Sequence, residues 1–305
     1  MLTKQKYQAA INFLSMYARK IDLELFNYAI NNSPADTVLK ELLKYQNDDG
    51  GFGNALEPDA RVPESSPLAT TVAMQYVSKK LKENSTEKSQ IINSALNYFD
   101  STYQESTMQW FSYTEQVNDY PHAPWWEFKD EDQLSDENWG NPTVEVLGYI
   151  NKYCGISAES KYYEAFQKAK DRLKKRSYIE QHELLCYVRF YDYLSEEDQD
   201  DLYDIIETHL LRTVETDPSK WGSYLPMPLD YIKAPSSPFI SKFEKSIKEN
   251  LKLLIESQQD DGGWYPTWDW SGNYPNEWKG AKKEWAGYLT AQNMITLDRF
   301  NLIMR

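Results

Sequence analysis

Hydrophobic positions along the chain recur at helical spacing. Between 36 and 46, Val38, Leu39, Leu42, Leu43 and Tyr45 fall on one stripe, the pattern of an amphipathic helix. The segment 87–103 repeats it with Ile91, Ile92, Ala95, Leu96 and Phe99, and 159–174, 198–213 and 243–258 follow the same rule. Each of these charged helices is followed by an irregular stretch and then a second, less charged helix. The second helices are expected near 66–80, 141–153, 180–194, 236–241 (a short one) and 280–302, and residues 3–32 predict a further helical pair. Alternating β-branched runs do not occur, so strands are not expected. The unit recurs at intervals of roughly 40–60 residues, the spacing of a helical-pair array. No Gly/Ser linker divides the chain, and Pro226, Pro228, Pro235 and Pro238 mark a loop inside one repeat. Residues 1–305 therefore read as a single all-α domain.

Two segments match each other closely. One is Gln46-Asn47-Asp48-Asp49-Gly50-Gly51-Phe52, the other Gln258-Gln259-Asp260-Asp261-Gly262-Gly263-Trp264, each at the end of a charged helix. The first glycine is suited to the left-handed conformation that stops a helix, and the aromatic to folding back as a plug. The Gln amide is placed to cap nearby backbone. Trp221-Gly222-Ser223-Tyr224 reads as a degenerate third copy. This Gln-…-Asp-Gly-Gly-aromatic element resembles the repeats of terpenoid cyclases and is similar to those of protein prenyltransferase β subunits. The resemblance implies an α/α toroid, a double ring of inner and outer helices with about five or six pairs around an aromatic-lined cavity. It also implies a small, largely apolar isoprenoid substrate.

The chemistry of those families is not carried by matching motifs. Asp198-Gln199-Asp200-Asp201 has the letters of a cyclase acid motif, but it follows Ser195-Glu196-Glu197 and reads as a capped, acidic helix start. His182 and Cys186 share one helix face, but a catalytic zinc wants about three protein ligands; a packed histidine and a buried thiol are expected instead. No metal is expected, and no cofactor, Mg²⁺ entering only if the substrate is a diphosphate.

Charge and composition narrow the classes. The net charge of −14 disfavours nucleic acid and anionic bilayers as partners, which leaves a small-molecule substrate or a protein. Two cysteines give no disulfide framework, no stretch is apolar enough to span a membrane, and the N-terminus lacks signal-peptide character, so a cytoplasmic location is expected. Aromatic residues make up 14% of the chain, including 10 Trp, more than a helical core needs, and the excess points to a lined site.

Two loops carry the densest chemistry. Glu57, Asp59 and Arg61 fall within five residues just before a second helix, a candidate acid–base group with a cationic partner. His122-Ala123-Pro124-Trp125-Trp126-Glu127 sets a titratable pair, His122 and Glu127, beside two adjacent indoles. Glu57, Asp59, His122 and Glu127 are the candidate catalytic residues, with Arg61, Trp125 and Trp126 contacting substrate. Asn141, expected as a helix N-cap, and Glu145 open a second helix at the cavity rim, while Trp221, Trp268, Asp269 and Glu284 supply further aromatic and acidic surface. Three readings stay open: an isoprenoid-processing enzyme, a carbohydrate-active α/α barrel using paired carboxylates, and a non-catalytic binding toroid.

Overall fold

The computed structural model describes residues 1–82, 84–130, 135–221 and 224–305, with Lys79 described by its backbone. Helices dominate: α1 (Lys4–Tyr17), α2 (Lys20–Asn31), α3 (Ala35–Leu42), α4 (Pro67–Gln75), α5 (Thr86–Thr102), α6 (Thr143–Cys154), α7 (Tyr163–Lys175), α8 (Gln181–Tyr191), α9 (Glu196–Thr213), α10 (Pro228–Tyr231), α11 (Glu244–Glu256) and α12 (Pro275–Arg299). Among the described residues there is no strand, only isolated bridges. The all-α expectation holds, and so does the reading of Ser195: its hydroxyl accepts the Asp198 N–H at 3.2 Å and starts the acidic first turn of α9.

The boundaries depart from the periodicity in three places. Helix α4 ends at Gln75 and continues as a π-helical turn over Tyr76–Lys80. The short helix expected near 236–241 is a 3₁₀ turn at Ile240–Lys242, and α10 forms instead inside the proline-rich loop. Pro228 has the fixed φ that suits a first helical residue, and Asp230 accepts the Met227 N–H at 2.7 Å. Asn141 is not the N-cap of α6: Pro142 occupies that position, and Thr143 begins the helix.

The chain falls into two compact units. The terminal unit combines Met1–Lys44 with Val214–Arg305, and the central unit is Tyr45–Thr213. In the terminal unit α12 packs on α2 and α1, and α2 on α3. A side chain at Gly287 would put its Cβ 2.6 Å from the Ala18 Cα, so only glycine permits that approach of α12 to the α1–α2 junction. A parallel bridge joins Leu2 to Ile303. In the central unit α6 packs against α4, α5, α7 and α8, and every residue from Thr143 to Ile150 is buried. A helix covered all round is the core of its unit. Val144, Val146, Leu147 and Ile150 each contribute on the order of 1.5–3 kcal/mol by burial.

No helix among the described residues is long and apolar enough to cross a membrane.

Candidate functional site

The two signature segments fold into the same hydrogen-bonded turn, one in each unit. Gln46 Nε2 donates to the Gly50 carbonyl at 3.0 Å, and Gln258 Nε2 to that of Gly262 at 2.9 Å. Both glycines have positive φ, +86° and +93°. Asp49 accepts the Gly51 N–H at 2.9 Å, and Asp261 that of Gly263 at 3.0 Å. The aromatics are buried plugs, and their backbone N–H groups reach buried threonines on the next helix. Phe52 donates to Thr70 and Trp264 to Thr290, each at 3.0 Å.

A third copy, missed in the sequence, lies at Trp110. Its N–H donates to Thr143 at 3.1 Å, and Met108, two residues earlier, has a φ of 56°. Here the Trp139 indole N–H, not a glutamine, caps the Met108 carbonyl at 3.1 Å. The aromatic and the threonine were available signals, but the glycines that mark the other copies are absent. Of the Trp221–Tyr224 segment, Gly222 and Ser223 lie outside the described residues.

In the central unit the turn delivers an acidic loop into the interior. Phe52 and Ser66 form an antiparallel bridge that ties the two ends of the loop. Asn54 and Ala55 take left-handed φ values of 54° and 57°, which a non-glycine residue adopts at a cost of about 1–2 kcal/mol. Leu56 to Ala60 are then all buried, Glu57 at 8% exposure and Asp59 at 3%. Loops usually keep to the surface, so a buried tract carrying two carboxylates calls for a purpose.

The second candidate loop meets the first. Ala60 and His122 form an antiparallel bridge, in which the Arg61 N–H donates to the Pro121 carbonyl at 2.9 Å and the Ala123 N–H to the Asp59 carbonyl at 2.8 Å. His122 is 7% exposed, and its Nδ1 lies 2.6 Å from the Tyr120 carbonyl. A carbonyl only accepts, so Nδ1 carries a proton there. Tyr113, absent from the sequence-based candidates, completes the cluster. Its hydroxyl donates to Glu57 at 3.5 Å, and burial first, then the charges of Glu57 and Asp59, push its pKa far up, so the phenol stays protonated. Beneath lies a small apolar cluster of Ala60, Val62, Leu68, Tyr113 and Val117, with Tyr120, Trp126 and Phe128 against it. Two buried polar atoms at its edge have no protein hydrogen-bond partner, Trp126 Nε1 and Glu64 Oε2.

The other candidates are dispersed. Arg61 is half-buried beside the bridge, and Trp125 is 47% exposed. Glu127 is exposed and pairs with Lys129 at 3.1 Å. Asn141 accepts the Cys186 thiol at 3.6 Å. Glu145 is buried in the α6 core, where it accepts from Gln75 at 3.0 Å, Tyr149 at 2.6 Å and Arg189 at 2.7 Å. In the terminal unit, Tyr224, Trp268, Trp285 and Tyr288 follow one another edge to face, with centroid separations of 5.8, 5.1 and 5.6 Å. Glu284 is half-buried, Asp269 is exposed and accepts the Ser271 N–H at 2.7 Å, and Trp221 donates to the Glu215 carbonyl at 2.8 Å.

His182 is not the packed histidine expected. It is exposed at the start of α8 and bonded to Glu180 at 2.9 Å, because the Glu180 carboxylate that caps the helix also holds the ring. Cys186 is buried, as expected, and burial pushes its thiol pKa far up, so it is a neutral packing group. Among the described residues no group of three or more His, Cys, Asp or Glu is placed to hold a metal.

Fold and site together define an all-helical protein in which a loop with two buried carboxylates, one bonded to Tyr113, is bridged by its backbone to a loop with a buried histidine. Comparison with known proteins finds no matching family model, no matching curated protein and no matching solved structure.

Proposed function

We propose that the chain is a carbohydrate-active protein whose central unit cleaves or binds a glycan at the Glu57–Asp59–His122 cluster. The observation that supports this reading is the backbone bridge between Ala60 and His122, which joins the loop of two buried carboxylates, one bonded to a protonated tyrosine, to the loop of a buried histidine. Glycosidic hydrolysis needs such a set. One carboxyl group gives its proton to the leaving oxygen as the C–O bond breaks; the other takes a proton from the water whose oxygen forms the new bond to carbon. Glu57 and Asp59 are assigned these two roles, and Tyr113 positions Glu57 by hydrogen bonding. Trp125 offers an indole face for stacking.

The α/α toroid is part of this proposal, supported by three copies of one turn at helix ends. That same recurrence favours a second reading, an isoprenoid-processing protein, because the turn is what resembles cyclase and prenyltransferase repeats. Two buried carboxylates suit an isoprenoid wall less well than a glycan site.

The test is a panel of neutral and acidic oligosaccharides, with product release followed by reducing-end assay and binding by calorimetry. Glu57→Gln and Asp59→Asn are expected to lower turnover by roughly 10²–10⁴-fold with folding intact. Turnover that survives both changes, or saturable binding of a prenyl diphosphate with no saccharide bound, rejects the glycan reading.

A further inference from the structure

One charged group of the central unit has no place in the acidic-loop chemistry. Arg189 of α8 reaches the buried Glu145 through Nη1 alone, at 2.7 Å. No other hydrogen bond of its guanidinium occurs among the described residues, so the Nε–Nη2 edge of the fork is not engaged. Glu145 is 1% exposed and fully occupied: Gln75 and Tyr149 hold one oxygen, Arg189 the other. The Arg189 side chain, by contrast, is 30% accessible. The pair is thus a buried carboxylate held by an arginine whose side chain stays partly accessible.

The surroundings of Arg189 are consistent along two helices. On α8 the half-buried residues Leu185, Val188 and Arg189 form one stripe, and on α4 Val72 and Gln75 form another. Gln75 and Arg189 grip opposite oxygens of the same carboxylate, so the two stripes converge over Glu145. Arg189 is the only charge on them. Burial lowers its pKa, but Glu145 and the neighbouring Cys186 and Tyr149 more than restore it, so the net direction is upward and the group is a fixed cation. Tyr149 is itself pushed far up, chiefly by burial, and stays a neutral donor.

We infer that Arg189 anchors a ligand carboxylate through its unengaged Nε–Nη2 edge, with Glu145 as the positioning residue that holds the guanidinium. A planar fork matches a carboxylate with two parallel hydrogen bonds. A single guanidinium already paired with Glu145 suits at most one further singly charged group; a diphosphate needs more positive charge. This deepens the glycan reading, on which it rests for the body of the ligand: the saccharide carries a carboxylate, as a uronic acid does.

The experiment is calorimetric titration of the whole chain with glucuronate-containing oligosaccharides, their neutral glucose counterparts and inorganic phosphate. The uronate is expected to bind at least tenfold more tightly than the neutral sugar, and Arg189→Gln to erase that preference. Arg189→Lys, which keeps charge without the fork, is expected to recover only part of it and covers the case in which Arg189→Gln does not fold. Neutral and acidic sugars bound equally well overturn the anchor and leave the glycan site standing. So does a preference that survives Arg189→Gln or is fully kept by Arg189→Lys, or phosphate bound more tightly than the uronate. No saccharide bound at all overturns both.

Discussion

Replacing Thr70 by Val isolates the bond that ties the glycine turn to its following helix. The two side chains have nearly the same volume and the same β-branching, so packing and helix propensity change little. What is lost is the acceptor for the Phe52 N–H, 3.0 Å away and buried. The Ser66 carbonyl, to which the Thr70 hydroxyl donates, keeps its helical bond from the Thr70 N–H at 2.9 Å, so only one group is orphaned. An unsatisfied buried N–H costs about 1–3 kcal/mol. The added methyl returns up to about 0.8 kcal/mol. The net expectation is a loss of roughly 0.2–3 kcal/mol, centred above 1 kcal/mol.

The same arithmetic applies to Thr290→Val, which strands the Trp264 N–H, whereas Thr143→Val removes the partner of both the N–H and the carbonyl of Trp110 and should cost at least as much. Thr208 is the control. It makes the same backbone contact within α9, to Asp204 at 2.8 Å, but is exposed and accepts no distant N–H, so Thr208→Val should change stability by less than about 0.5 kcal/mol. Urea unfolding followed by circular dichroism gives the four values, and hydrogen exchange of the Phe52, Trp110 and Trp264 amides in the unmodified chain checks the cause. If the three turn variants match the control, or those amides exchange as fast as exposed loop amides, the shared network is not what holds the turns.

Two other perturbations follow from charges in the central unit. Glu183 and Arg172 pair at 2.6 Å with 4% of each side chain exposed, and Arg172 keeps a second carboxylate, Asp136 at 2.7 Å, so Glu183→Gln should cost about 1–3 kcal/mol in urea unfolding, and no measurable loss would contradict the burial. Burial is the first cause that pushes Tyr113, Tyr149 and Tyr187 far above the ordinary phenol range, so their stabilising effect is complete below about pH 10 and is lost as pH rises beyond it, because the unfolded chain ionises first. Their tyrosinate absorbance should appear together with alkaline unfolding; reversible ionisation near pH 10 with native circular dichroism would refute this.

The glycine turn was legible in the sequence because its bonds are local: Gln46 to Gly50, Asp49 to Gly51. Its third copy was not, because Met108 stands where glycine marks the others and Trp139, 31 residues on, supplies the cap. The two acidic and aromatic loops stood out by composition, yet nothing in either announces that Ala60 pairs with His122. Tyr113 and Arg189 carry no local signature at all. Each acquires meaning only from a partner far along the chain, Glu57 for one and Glu145 for the other. Helix order was readable from periodicity, whereas the exposure of His182 follows from Glu180, which caps α8 and holds the ring at its start.

One turn leads to a buried acidic loop in the central unit and an exposed one in the terminal unit because of the chain that leaves it. In the central unit Phe52 is bridged to Ser66, and the side chains of Asn47 and Asp49 hold Pro63 and Ser65 at 3.0 and 2.7 Å. Both ends of the loop are thereby fixed, so the residues between have little room except inward, and the left-handed pair Asn54–Ala55 is held against its own cost. Gly53 is required there: a Cβ would lie 2.1 Å from the Glu64 carbonyl oxygen. In the terminal unit the plug Trp264 reaches Thr290 across a longer stretch, and its acidic residue Asp269 stays exposed. The burial of Glu57 and Asp59 is thus a consequence of closing a short loop at its base, and loosening that base should expose the carboxylates before it unfolds any helix.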